Sequence, residues 1–168
     1  MKKIQYTACL ALLLMRCFSA GAQEKTNDYS GTWVINIPKS EFNGAPEYTA
    51  SKRLIITQTE KNVTIIKASV SDAGTDSAAT ENFAIDDAPF KVIDGNKQTR
   101  TSTITWTVPR QILTETTHIS FPNDPGTEKF QLADTWYLTD NNKTLTIRKV
   151  VKVYNGSGYT VIAVYEKQ

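Results

Sequence analysis

The sequence predicts an all-β protein built as an antiparallel up-and-down β-barrel of about 8–10 strands, with a β-sandwich as the alternative. Three observations carry that expectation. Runs of β-branched and aromatic residues alternate with turn clusters at intervals of about ten residues, the spacing of a meander. Several runs have one apolar and one polar face, as strands do when one side meets a core and the other water. Beyond the first residues, no segment keeps a helical apolar period over three turns. A chain of consecutive hairpins leaves edges exposed unless it closes on itself, which favours the barrel.

The chain opens with the three-part plan of a secretory signal. Lys2 and Lys3 form a basic start, Ala8 to Met15 an apolar run, and Ser19-Ala20-Gly21-Ala22 a small-residue cleavage site. Residues 1–22 are therefore read as a signal peptide cut between Ala22 and Gln23. The apolar run is roughly half the ~20 residues that a spanning helix needs, so no transmembrane segment is expected. Cys17 follows Arg16, which is neither small nor neutral, so a lipoprotein is not expected. The expected location is the periplasm or the extracellular space.

This division changes the composition of what remains. Both cysteines, Cys9 and Cys17, lie in the leader, so the mature chain has no thiol for disulfides, metal binding or nucleophilic attack. The whole chain carries 19 Lys and Arg against 17 Asp and Glu, and Lys2, Lys3 and Arg16 belong to the leader. The mature protein is thus close to neutral and lacks the basic face that nucleic acid demands. Residues 23–30 are polar and read as a flexible lead-in, and 31–168 suit one barrel domain.

Within that domain the expected strands are 31–37, 51–59, 62–70, 79–85, 89–93, 98–108, 111–120, 128–138, 143–154 and 158–166. Glu60-Lys61-Asn62, Asp94-Gly95-Asn96, Pro109-Arg110, Pro122 to Gly126, Asp140-Asn141-Asn142 and Asn155 to Gly158 supply the turns. Only Lys39 to Phe42 and Ser71 to Ala78 are expected to hold a short helical turn. In the late strand Leu145, Ile147, Val151 and Val153 share a face, and Lys149 lies in phase with them.

The domain begins Ser30-Gly31-Thr32-Trp33, with Lys39-Ser40-Glu41-Phe42 soon after. Near its end stands Leu138-Thr139-Asp140-Asn141-Asn142-Lys143-Thr144-Leu145-Thr146, and it closes Val164-Tyr165-Glu166-Lys167. Together these residues resemble a group of exported, largely uncharacterised bacterial lipocalin-like (calycin-type) proteins. Asn141-Asn142 departs from that group's glycine-containing turn. The resemblance implies a barrel with an internal cavity for a small apolar molecule. It also implies structural roles for Gly31, for Trp33 at the closed end, and for Arg148 as a cation stacked on that indole; the alternative places Arg148 in solvent.

Chemistry is sparse. His118 is the single histidine, and its strand parity with Thr114, Thr116 and Ser120 points it to the polar face. One imidazole does not make a zinc site, and no metal or cofactor is expected. The acidic candidates are Asp86, Asp87, Glu115 and Asp134; paired carboxylates would have to meet across a cleft to work as a glycosidase. Nothing positive supports catalysis. Trp106, Trp136, Tyr154 and His118 are the residues expected to line a ligand site, and the expected partner is a small apolar molecule. The alternative is a protein- or glycan-interaction module with a filled interior; a small hydrolase or isomerase ranks below both. The oligomeric state is not legible.

Overall fold

The computed structural model describes residues 26–70, 76–86, 88–93, 97–122, 124–154 and 156–168. The expected signal peptide and both cysteines lie outside the described residues, as do Asp87 and the Asp94-Gly95-Asn96 turn. Ten strands follow one another: β1 (Gly31–Ile35), β2 (Arg53–Gln58), β3 (Asn62–Val70), β4 (Asp76–Ala84), β5 (Phe90–Ile93), β6 (Thr99–Val108), β7 (Ile112–Phe121), β8 (Asp124–Thr139), β9 (Thr144–Val153) and β10 (Tyr159–Lys167). The expected strands recur with small shifts at their ends. Hairpin chemistry explains why, since each turn cluster leaves the flanking alternation intact.

All ten strands form one antiparallel sheet in the order β4-β3-β2-β1-β10-β9-β8-β7-β6-β5. Every neighbour in that order is also a neighbour in sequence, except β1 and β10. The barrel therefore consists of two meanders, β1–β4 and β5–β10, joined where Trp33, Val34 and Ile35 pair with Lys167, Glu166 and Tyr165. On the opposite side β4 and β5 leave a slit. It is spanned by a bridge between Ile85 and Ile104, by the Asp86 N–H donating to the Ile104 carbonyl at 2.9 Å, and by Phe83 edge-on to Phe90 at 5.5 Å. Asp86, read from sequence as a turn residue, has φ 59° and accepts the Trp106 N–H at 2.9 Å.

The helical turns differ from expectation. Among the described residues they fall at Ile37–Lys39 and Glu47–Thr49 and are 3-10 turns; of the expected turn at Ser71 to Ala78, Asp76 to Ala78 belongs to β4 and 71–75 lie outside the described residues. Pro38 presets the first turn, and the Asn36 side chain caps it by accepting the Lys39 N–H. Beyond β1 the chain remains alongside β10 as an irregular edge. Asn36 N–H donates to the Val164 carbonyl at 2.7 Å, and Glu41 and Ile162 exchange two bonds of 2.8 Å. Residues 46–52 then cross the barrel end as a strap before β2.

The other end is closed by residues expected to be a flexible lead-in. Tyr29 is fully buried, and its hydroxyl lies 2.8 Å from the carbonyls of both Gln111 and Trp136. Its backbone is held as well, because Gln58 Oε1 accepts the Tyr29 N–H and Gln58 Nε2 donates to the Asn27 carbonyl. One aromatic among polar neighbours is enough to anchor this segment, which composition alone does not reveal. Burial pushes the Tyr29 hydroxyl up to about 12, so it stays a neutral donor.

Trp33 is also fully buried at this end, with Nε1 donating to the Tyr29 carbonyl at 2.9 Å. The cation over its ring is Lys167, 5.1 Å from the centroid, and not Arg148, which is exposed on the outer face of β9. Parity is the reason: Arg148 alternates with the inward Ile147 and Lys149. Gly31 has φ +142°, and a Cβ there would meet Lys167 Cε at 2.5 Å, so glycine gives the lysine its path to the indole. Replacing Lys167 by Met should lower stability by less than about 1 kcal/mol. Arg148→Met should leave it unchanged within about 0.5 kcal/mol. Urea unfolding of both variants checks the assignment.

The β8–β9 turn shows how the asparagine pair substitutes for glycine. Asp140, Asn141 and Asn142 all have positive φ, at 51°, 55° and 65°, and Thr144 Oγ1 donates to Asp140 Oδ2 at 2.8 Å. Asparagine tolerates this region and β-branched residues do not. Asn142→Val should therefore cost about 1–2 kcal/mol, and Asn142→Gly should cost nothing, read as a fall in melting temperature for the first alone.

Candidate functional site

Inward-facing residues divide the barrel interior into two zones. The zone near Tyr29 is apolar and includes Trp33, Val63, Ile104, Leu113 and Leu145. Farther along the same strands the alternation continues, but the residues in phase with the core are polar. Lys67 follows Val63 and Ile65 on β3, Glu81 precedes Phe83 on β4, and Arg100 and Ser102 precede Ile104 on β6. Glu115 and Thr117 follow Leu113 on β7, Asp134 precedes Trp136 on β8, and Lys149 follows Ile147 on β9.

The sheet register draws these side chains into one layer. Glu115, Asp134 and Lys149 are direct cross-strand partners on β7, β8 and β9. Lys67 Nζ sits 2.7 Å from Glu81 Oε2 and 3.1 Å from Glu115 Oε2, reaching across the barrel from one meander to the other. Arg100 pairs with Glu81 across the slit. Lys149 Nζ lies 3.1 Å from Asp134 Oδ2. Ser102 and Thr117 share a hydrogen bond of 2.7 Å beside them. The carboxylates are nearly dry: the Glu81 and Glu115 side chains are 2% and 4% exposed. Such charges persist in a core only when paired.

The two neighbouring carboxyls are pushed in opposite directions. Burial raises the Glu115 carboxyl, but Lys67, Lys149 and Arg100 more than offset this and hold it below the usual glutamate range. Burial dominates at Asp134; with the added repulsion of Glu115 it outweighs Lys149 and Lys67, and the Asp134 carboxyl lies above its usual value. Burial likewise raises the Tyr165 hydroxyl, which faces the same space.

Within this layer lies a cavity of about 50 Å³. Its polar wall holds Lys67, Glu115, Asp134, Lys149 and Tyr165, its apolar wall includes Leu54, Trp136 and Val161, and the strap residues Thr49, Ala50 and Ser51 roof it. Two polar atoms of the lining residues are buried with no hydrogen-bond partner among the described residues, Trp136 Nε1 and Asp134 Oδ1. Chemically, the arrangement supplies a fixed donor and a fixed acceptor inside an ionic frame that is already paired.

Of the residues expected to line a ligand site, Trp136 alone lines this cavity. Trp106 is half-buried at the closed end, 6.4 Å from the Tyr29 ring. Tyr154 is 63% exposed in the turn after β9. His118 faces the outside of the sheet between Thr101 and Gln131, opposite in parity to Glu115 and Thr117. The acidic candidates Glu115 and Asp134 do come together. Lys67, Glu81 and Arg100 were missed, although each stands in phase with an apolar face, the pattern already visible at Lys149.

Ten antiparallel strands in one sheet, closed except for the slit between β4 and β5, define the class by fold: a lipocalin-like β-barrel. Among solved structures, the fluorescent protein UnaG is similar at a TM-score of 0.53 and 14% identity, over 83% of this chain and 96% of that one. A mutant form of UnaG gives 0.52 and 13%, over 83% and 95%. The zebrafish ileal bile acid-binding protein, complexed with cholic acid, gives 0.49 and 14%, over 83% and 98%. No protein-family model and no curated protein sequence matches the chain. Among the described residues, no helix is long and apolar enough to cross a membrane.

Proposed function

We propose that this chain is an exported, non-catalytic binding protein that holds one small amphipathic molecule in the barrel interior. The cavity carries this reading: it has one polar and one apolar wall, and is roofed by the strap, a single short turn flanked by irregular backbone. Ligand sites combine apolar walls with a few convergent polar groups in this way. At about 50 Å³ the cavity accepts a polar head group, and the rest of a ligand takes the space that the strap residues 49–51 now fill. Export rests on the leader read at residues 1–22.

Native mass spectrometry of the protein recovered from its own host tests both parts at once. The expected result is a chain starting at Gln23 with a reproducible small-molecule adduct. A retained leader removes the export reading, and repeated spectra without adduct remove the ligand. A second reading, a protein- or glycan-interaction module with a filled barrel, draws on the small size of the cavity and on the exposed Tyr48 and Tyr154. It predicts clean spectra of the barrel alone.

A further inference from the structure

Resting on the reading of the interior as a ligand site, we propose that the cavity selects a neutral group that both donates and accepts a hydrogen bond. An alcohol hydroxyl or a primary amide meets that description, whereas a carboxylate or an ammonium does not.

The charge balance of the layer argues first. Lys67, Arg100 and Lys149 face Glu81, Glu115 and Asp134, and each cation already has a carboxylate partner. A ligand carboxylate would enter with no unengaged cation to meet it, and a ligand ammonium would add a positive charge to carboxylates that Lys67, Arg100 and Lys149 already neutralise. Either would leave an unbalanced charge beside carboxylates that are nearly free of solvent, an expensive outcome.

The unmet groups argue second, and independently. Trp136 is 1% exposed, yet its indole N–H has no acceptor among the described residues. Asp134 Oδ1 is buried and has no donor, while its other oxygen is taken by Lys149. A buried polar atom left unpaired costs about 1–3 kcal/mol. The two residues stand two apart on β8, so their side chains leave the same face of the strand and both line the cavity. A hydroxyl accepts from the indole and donates to the carboxylate oxygen with a single atom; a primary amide does so with its carbonyl and its NH₂. The nearby walls of Leu54, Ile147, Val161 and Ala163 suit an apolar remainder.

The test is a series of equal chain length, 1-octanol, octanamide, octanoate and octylamine, titrated by calorimetry into the folded full-length protein at neutral pH. Octanol and octanamide are expected to bind at least tenfold more tightly than the two charged members. In a ¹⁵N spectrum, the Trp136 indole resonance should move on adding octanol. Trp136→Phe should weaken octanol about tenfold; the indole resonance gives the same answer without a variant, should that protein not fold. Octanoate or octylamine binding as well as octanol, or an unmoved indole signal, overturns the selectivity while leaving the interior ligand site standing. No binding by any member overturns both.

Discussion

Replacing Lys67 by Met should destabilise the barrel by about 3–5 kcal/mol at neutral pH, the cost of removing one partner from a buried ion pair. Lys67 is the cation shared by Glu81 and Glu115, and both carboxylates are nearly free of solvent. In the variant Arg100 still balances Glu81, but Glu115 loses its direct partner and keeps only the more distant Lys149 and Arg100. The pH dependence gives this prediction its sign. In the native chain the Glu115 carboxyl is held below its ordinary value of 4.5, so its contribution is present above that value and is lost as pH falls through the folded one. Asp134, whose carboxyl is raised, works oppositely and gains as it takes up a proton. Without Lys67 the Glu115 carboxyl should also rise above its unfolded value, and acid should then relieve the variant. The gap between native protein and variant is therefore widest near pH 8 and narrows towards pH 4. Urea unfolding at several pH values measures it, and a gap independent of pH would remove the ionic explanation.

The second large effect belongs to Tyr29. Tyr29→Ala should cost about 3–5 kcal/mol, as for other buried aromatics cut to alanine. The ring is fully buried and lies 5.7 Å from Trp136 in an edge-on contact. Tyr29→Phe separates the hydroxyl from the ring. It keeps the packing and removes only the bonds to the Gln111 and Trp136 carbonyls, for a loss of about 1–2 kcal/mol. If Tyr29→Ala melts within a degree or two of the native protein, residues 26–30 do not close the barrel in solution.

These two residues also mark where sequence reasoning succeeds and stops. Strand positions were legible because alternation and turn chemistry are local, and the closure of consecutive hairpins into a barrel follows from the edges they would otherwise leave. Tyr29 was not legible. It sits among Asn27, Asp28 and Ser30, and only the folded barrel brings Gln58, Gln111 and Trp136 around it. The ionic layer was half legible. Glu115 and Asp134 stood out as carboxylates, and Lys149 lay in phase with apolar neighbours. An inward charge on one strand, however, says nothing about the charges on five others until the register is known. His118 and Tyr154 misled for a simpler reason: residue type suggested a site, whereas parity and turn position put them outside it.

The slit between β4 and β5 bears on how the chain assembles. Nearly every strand pairing is local in sequence, so each meander can zip up turn by turn with little loss of chain entropy. What must wait is the meeting of the halves, at the β1–β10 ladder on one side and at Lys67–Glu115 and Glu81–Arg100 on the other. The molecule is in this sense a clamshell, hinged where the ends of the domain meet and latched by charge. Its last folding step, unlike the first ones, should be sensitive to salt and to acid.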